Sequence, residues 1–116
     1  MKYMLLMYAS EAESSKYLQE EQQTLAQAWG AYMKEASQAG VLLSNNGLNP
    51  SANATTVRVR DGKTLTTDGP FAETHEQLGG FSVLECKDLD EAIRWAEKIP
   101  TVKYGSIEIR PLWSPD

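Results

Sequence analysis

The sequence predicts an α+β fold of the ferredoxin-like type, in which two helices cover one face of an antiparallel sheet. Three observations support this prediction. Extended and helical patterns follow one another in the order β-α-β-β-α-β, two helical segments each carry one apolar stripe, and a β-hairpin lies in the middle of the chain. The 116 residues fit one domain with a single hydrophobic core.

The first strand is predicted over residues 2–8. Its two alternating sets are both apolar or aromatic, with Leu5 and Met7 on one face and Leu6 and Tyr8 on the other. Because two helices cover only one face of a sheet, we expect a second copy of the chain to cover the other face in a homodimer. The face left to the partner is expected to include further apolar residues, namely Val57, Val59, Phe81, Val83, Ile107 and Ile109.

A long helix is predicted from about residue 18 to residue 39, after a polar loop over residues 9–17. Gly40 is well placed to end this helix in the left-handed conformation. A short extended piece over residues 41–43 and a turn and loop over 44–50 are expected to follow. The apolar stripe of the helix consists of Leu18, Leu25, Trp29, Tyr32, Met33 and Ala36.

A hairpin is the clearest local signal in the chain. Thr55–Arg60 and residues 63–67 flank Asp61 and Gly62, which suit a two-residue type I′ turn. We expect this hairpin to extend the main sheet.

The last third of the chain completes the predicted order. An irregular segment over residues 68–78, a strand over 81–86 and a final strand over 106–112 are expected. A second helix lies between these strands. Asp88 suits its N-cap with Glu91 as the reciprocal partner, and Pro100 ends it.

The composition argues against several classes of function. The net charge is -5 and the pI about 4.9, whereas a nucleic-acid binder needs a basic face and anionic membranes attract basic segments. Cys86 is the only cysteine, so no disulfide forms within the chain. No apolar stretch reaches transmembrane length and the opening apolar run is short for a signal peptide, so the cytoplasm is the expected location.

One loop concentrates the titratable candidates. Asp68, Glu73 and His75 lie within eight residues, where Gly69 permits a tight turn and Pro70 stiffens it. A histidine beside a carboxylate suits proton transfer near neutral pH. The alternative is a structural turn, in which Asp68 accepts backbone hydrogen bonds and His75 is solvated.

Arginine and aromatic side chains supply further candidates. Arg58, Arg60 and Arg110 could anchor a carboxylate or phosphate, or form ion pairs with Asp68 or Glu108. Four aromatic residues could line a small-molecule pocket or belong to the core and the dimer interface: Tyr3, Tyr8, Trp29 and Tyr32. One histidine and one cysteine cannot form a zinc site within one chain. Carboxylates could hold magnesium, but none cluster in the sequence, so no metal is expected.

The string Asp-Gly-Pro-Phe-Ala-Glu-Thr at residues 68–74 resembles the signature of the DGPF family, a branch of the YCII-related superfamily. The strand at residues 2–8, the hairpin, and the segments 88–92 and 105–111 also resemble it. The resemblance implies a dimeric α+β barrel, a homodimer and a cleft near the Asp68 loop. It also implies a bacterial protein whose gene is often linked to a sigma factor.

The resemblance implies no settled reaction. In YCII-type relatives a histidine on the first helix and a nearby aspartate are the suspected catalytic pair, but here the single histidine is His75. One hypothesis is an acid/base isomerase or lyase without a cofactor, in which Asp68 acts with His75 or Glu73. The alternative is a ligand-binding or regulatory module associated with a sigma factor. The expected ligand contacts are Tyr8, Arg58, Gly69, Pro70 and Phe71.

Overall fold

The computed structural model describes residues 1–115. In chain order the helices and strands are β1 (Lys2–Ala9), α1 (Glu11–Ser14), α2 (Gln19–Gln38), β2 (Leu42–Gly47), β3 (Thr55–Arg60), β4 (Lys63–Asp68), β5 (Gln77–Glu85), α3 (Leu89–Glu97) and β6 (Ser106–Pro111). Four strands form one antiparallel sheet in the order β2-β5-β1-β6. The predicted ferredoxin-like α+β fold is confirmed.

The central strand β1 holds the core together. It pairs with β5 on one side and β6 on the other, so that both of its edges are hydrogen-bonded. Tyr3, Leu5 and Met7 point to the helices and are buried. The core that they form with α2, α3 and β5 consists of Tyr3, Leu5, Met7, Tyr32, Leu84, Cys86, Ala92, Ala96 and Ile99. Both long helices therefore cover the same face of the sheet, as predicted.

The C-terminal end of α2 follows the signal in the sequence. Gly40 has φ +75°, and its amide donates to the carbonyl of Ser37 at 3.0 Å. The amide of Val41 donates to the carbonyl of Ala36 at 3.1 Å. These two bonds form a Schellman motif, which satisfies carbonyls at the end of α2 and turns the chain into β2.

The start of α3 differs from the prediction in one detail. The side chain of Asp88 accepts a hydrogen bond from the amide of Glu91 at 2.9 Å, as expected of an N-cap. The carboxylate of Glu91, however, accepts from the amide of Lys87 at 2.9 Å rather than from that of Asp88. The cap is still reciprocal, but it reaches one residue further back.

The hairpin has the predicted turn but does not belong to the main sheet. Asp61 and Gly62 have φ 52° and 74°, as a type I′ turn requires. Strands β3 and β4 nevertheless form a separate two-stranded sheet, so the expectation that they extend the main sheet is wrong. Between β2 and β3 the chain is held against α1, where the amide and hydroxyl of Ser51 donate to the carboxylate of Glu11. Strand β3 begins only four residues after this contact and pairs with β4 alone.

Three short segments were assigned wrongly from the sequence. Helix α1 forms within the expected loop because the Ser10 hydroxyl caps it, accepting from the amide of Glu13 at 3.2 Å. Strand β2 continues through residues 44–47, and β5 begins at Gln77. Backbone pairing with a neighbouring strand does not depend on apolar side chains, so polar residues can lengthen both strands.

The apolar face opposite the helices is smaller than expected. We call Met4, Leu6, Phe81 and Val83 the open face; they are neighbours across β1 and β5, and each is half-buried. Two expected members, Ile107 and Ile109, instead oppose Met7 and Leu5 and pack against the core under the helices. The other two, Val57 and Val59, lie on the separate hairpin. A one-residue difference in strand register decides which face a side chain occupies.

No helix within residues 1–115 is long and apolar enough to cross a membrane.

Gly105 provides a test of the packing between β1 and the turn before β6. A Cβ atom at this position would lie 1.9 Å from the carbonyl oxygen of Tyr8. This oxygen belongs to the backbone of the central strand β1, so it has little room to move. We expect Gly105→Ala to lower the free energy of unfolding by about 3 kcal/mol. The midpoint of urea denaturation measures this change.

Gly30 is the matched control for that substitution. It lies inside α2 with no atom within 4 Å of an added Cβ. Alanine there should raise the free energy of unfolding by about 0.5–1 kcal/mol, because it favours the helix and restricts the unfolded chain. Equal effects of the two substitutions would contradict the packing at Gly105.

Candidate functional site

The turn after β4 carries several predicted site residues and is held by backbone contacts. Asp68 is the last residue of β4 and pairs with Thr55. The amide of Gly69 donates to the carbonyl of Ala54 at 2.7 Å, and the hydroxyl of Thr56 donates to the Gly69 carbonyl at 2.9 Å. Gly69 has φ +94°, a conformation that glycine adopts without strain. The Asp-Gly turn is therefore a well-anchored structural feature.

The side chains predicted for proton transfer are exposed in the single chain. Asp68, Glu73 and His75 lie at the surface, and no hydrogen bond or ion pair joins any two of them in the described part of the chain. Pro70 and Phe71 are exposed as well. None of the five lines either of the two cavities described below. Their roles stay predictions.

The remaining predicted contacts lie apart from that turn. Arg58 is exposed on β3. Arg110 forms an ion pair with Glu108, one of the two partners considered for it. This pair lowers the pKa of the Glu108 carboxyl and raises that of Arg110, and a hydrogen bond from Tyr8 lowers the Glu108 pKa slightly further. The hydroxyl of Tyr8 is therefore close to this pair.

A cavity of about 400 Å³ lies beside an irregularity in the central pair of strands. Met7 pairs with Gly80 and Tyr8 pairs with Leu78, so Gly79 is an extra residue in β5. We call the space beside this β-bulge the bulge cavity. Its walls come from β1, α1, α2, β2, β5 and the turn before β6: Met7, Tyr8, Ala9, Ser14, Trp29, Asn45, Asn46, Gly47, Gly79, Gly80 and Thr101.

The chemistry of the bulge cavity is neutral. None of its lining residues is charged at neutral pH, and hydroxyl and carboxamide groups lie beside Trp29 and Met7. Gly80 lets β2 and β5 approach closely, because a Cβ there would lie 2.7 Å from the carbonyl oxygen of Asn46. Such a mixture of apolar surface and a few polar groups is typical of small-molecule sites.

The aromatic candidates divide between the core and this cavity. Tyr3 and Tyr32 are buried in the core, whereas Tyr8 and Trp29 line the cavity. The ring of Trp29 meets that of Tyr32 edge to face, with 5.7 Å between the ring centroids. The buried tyrosine thus holds the indole that forms one wall.

The sequence comparison decides the family. Residues 1–115 match the YCII-related domain. The chain belongs to the YCII-related family. An uncharacterised protein of Rhizobium meliloti (strain 1021) is 38% identical over 114 residues, which cover 97% of this chain and 92% of that protein. The predicted family relationship is confirmed, and this relative carries no assigned reaction.

Sequence reasoning missed a polar pair behind the cavity wall of this YCII-related domain. The hydroxyl of Ser82 donates a hydrogen bond to Oδ1 of Asn45. Ser82 is fully buried among core residues of β5, and Asn45 lines the cavity. The sequence did indicate that Ser82 is buried, because it alternates with Leu84 and Cys86 on one face of the strand. Asn45 had no such signal, since its segment was expected to be a loop.

Glu11 was missed as well, and it joins three parts of the YCII-related domain. Its carboxylate accepts hydrogen bonds from the amide and the hydroxyl of Ser51, at 2.7 and 2.6 Å. Its amide donates to the side chain of Gln77 at 2.8 Å, and Gln77 in turn donates to the carbonyl of Thr74 at 2.6 Å. Helix α1, which forms one wall of the bulge cavity, is thereby fixed to the loops on either side of the hairpin.

A second, larger cavity of about 490 Å³ lies between the start of α2 and the turn before β6. Its walls include carboxylates and lysines, among them Glu20, Glu21, Lys98 and Lys103. The rings of Tyr17 and Tyr104 meet at one end of it, with centroids 5.6 Å apart. In residues 1–115 no three histidine, cysteine, aspartate or glutamate side chains lie together in a way that could hold a metal ion.

The role of Glu11 can be tested by substitution. We expect Glu11→Ala to lower the free energy of unfolding by about 2 kcal/mol, because the half-buried amide and hydroxyl of Ser51 lose a charged acceptor. Glu11→Gln should cost less, since its carbonyl oxygen can accept one of the two bonds. Chemical denaturation followed by circular dichroism measures both changes.

Glu13 is the matched control on the same short helix. Its exposed carboxylate makes a salt bridge with Lys16 over 3.6 Å, which is worth little in water. Glu13→Ala should leave the midpoint of denaturation almost unchanged. A midpoint as low as that of Glu11→Ala would show that any loss of charge on α1 is sufficient, and would contradict the specific role of Glu11.

Proposed function

We propose that this YCII-related domain binds a small molecule in the bulge cavity. The cavity itself is the observation that carries the proposal. Its volume of about 400 Å³ falls in the range of small-molecule sites, and five strands and helices with the turn before β6 line it. A binding domain of this kind suits the alternative hypothesis of a ligand-binding or regulatory module associated with a sigma factor.

The bulge cavity is favoured over the larger one for a physical reason. The larger cavity is lined by flexible, charged side chains such as Glu20 and Lys98 at the surface. Ordering such side chains around a ligand costs conformational entropy. The lining of the bulge cavity includes three glycines, other small residues of the strands and helices, and Trp29, which packs on the core. Its shape is therefore set before any ligand binds.

Acid/base catalysis by Asp68 is the second candidate, and it depends on a partner. Phe71, three residues along the same turn, is 78% exposed, which is unusual for a phenylalanine that remains uncovered. A surface that covers Phe71 would also enclose Asp68 and remove it from bulk water, where a carboxylate is a weak base. His75 and Glu73 would then lie at the edge of the same site.

We propose a homodimer as the source of that covering surface. The open face presents four half-buried apolar side chains, and the hairpin exposes Val57, Val59 and Leu65. The radius of gyration of the Cα atoms is 16.3 Å, against about 13 Å for a compact chain of this length. A flat chain with two uncovered apolar surfaces favours association with a second copy around a two-fold axis.

The binding proposal is tested by filling the cavity. Purified protein is screened against a library of small metabolites by thermal shift, and we expect a subset to raise the melting temperature. Ala9→Leu should abolish these shifts, because the larger side chain occupies the bulge cavity. Ala12→Leu, on the exposed side of α1, is the matched control and should retain them. The same screen on Asp68→Asn separates the two candidates, since a loss of binding there favours a site at Asp68.

The dimer is tested by two neighbouring substitutions in β1. Light scattering at micromolar concentration should give a mass near twice 12.9 kDa. Leu6→Lys, which places a charge on the open face, should reduce the mass to that of one chain with the circular dichroism spectrum preserved. Leu5→Lys should unfold the protein, because Leu5 is completely buried under the helices. A mass near 12.9 kDa for the unaltered protein would contradict the homodimer.

A further inference from the structure

A small polar group is buried behind the wall of the bulge cavity. Ser82 has no exposed surface and Tyr32 is 3% exposed, in a core that is otherwise almost entirely apolar. Ser82 lies opposite Asn45 across the β2–β5 pair and opposite Leu5 across the β1–β5 pair. Burying hydroxyl groups costs free energy unless they are hydrogen-bonded, so their presence here requires a physical reason.

The hydrogen bonds of this group have a direction. The Ser82 hydroxyl donates to Oδ1 of Asn45, which leaves the NH2 group of the Asn45 carboxamide free to donate elsewhere. In the described chain that NH2 group makes no hydrogen bond to another residue. Asn45 lines the bulge cavity, so the cavity is where its unused donor can find an acceptor.

Tyr32 reinforces this direction. Its hydroxyl oxygen is buried and has no hydrogen-bond partner within residues 1–115, and burial raises its pKa. The Ser82 hydroxyl is near enough to oppose that rise, although its own proton is directed to Asn45. In the structure the Ser82 proton therefore goes to Asn45 and not to Tyr32, and this bond holds the carboxamide in one orientation.

We propose that the Asn45 carboxamide, oriented by Ser82, donates a hydrogen bond to the carbonyl oxygen of an uncharged small molecule bound in the bulge cavity. The cavity contains no cation to balance an anionic ligand, and the chain carries a net charge of -5. A ketone, lactone or amide supplies the acceptor without charge, and Trp29 offers a flat apolar surface to the rest of the molecule. This inference rests on the proposed function and names its ligand class.

Acetophenone and ethylbenzene form the probe pair that tests the inference. They have nearly the same shape, but only acetophenone carries a carbonyl oxygen. The dissociation constants of both are measured by NMR titration of the whole protein, with the Asn45 side-chain NH2 resonances as a local reporter. We expect acetophenone, and not ethylbenzene, to shift these resonances.

Substitutions then separate the donor from the shape of the cavity. Asn45→Asp replaces the NH2 group with an oxygen of the same size and should weaken acetophenone binding about tenfold, with ethylbenzene binding unchanged. Asn45→Leu, which carries no new charge, should do the same. Asn49→Asp, at an exposed asparagine outside the bulge cavity, is the matched control and should leave the binding of both probes unaltered. Ser82→Ala should weaken acetophenone binding and shift the Asn45 NH2 resonances toward those of a freely rotating carboxamide.

The outcomes distinguish this inference from the proposed function. If both probes bind the unaltered protein and Asn45→Asp and Asn45→Leu weaken neither, the cavity binds ligands but Asn45 is not the donor, and the inference is overturned. If neither probe binds, the cavity does not take ligands of this class and the inference is overturned, whereas the proposed function fails only if the metabolite screen also gives no shift. Unchanged Asn45 resonances in Ser82→Ala would remove the positioning role of Ser82.

Discussion

The structure depends on the pairing of the central strand β1 with β5 and β6. Tyr3, Leu5 and Met7 can be buried under the helices only if both edges of β1 are hydrogen-bonded, because buried backbone groups need partners. In the β1–β5 pair, β5 carries one extra residue, Gly79. It lies next to the point where Met7, the last buried side chain of β1, pairs with Gly80. The bulge changes the register at the end of the sheet, and the bulge cavity lies there.

The two candidate sites differ in what they need. The bulge cavity is complete within one chain, with its carboxamide held from behind by the buried hydroxyl of Ser82. The turn that carries Asp68 and Phe71 is anchored through the backbone of Gly69, but its side chains face solvent. Acid/base catalysis requires a positioned substrate in a site that excludes bulk water. The proposed chemistry at Asp68 therefore depends on assembly, and the proposed ligand binding at the bulge does not.

Much of the fold could be predicted because local signals agreed with one another. Three of these signals depend only on neighbouring residues: the pattern of β1, the type I′ turn at Asp61 and Gly62, and the glycine at the end of α2. The candidate site could not be predicted in the same way. Ser82 and Asn45 are 37 residues apart, and only the pairing of β2 with β5 brings them together. Glu11 and Ser51 likewise meet across 40 residues.

The sequence by itself determined the order of the main strands and the two long helices, the buried side of β1 and the family. These follow from periodicity, turn chemistry and the string at residues 68–74. Tertiary structure alone decided the position of the hairpin, the face occupied by Ile107 and Ile109, and the bulge cavity. The physical reason is register. A shift of one residue in a strand moves every side chain to the opposite face, and only the packing of the whole sheet selects between the two arrangements.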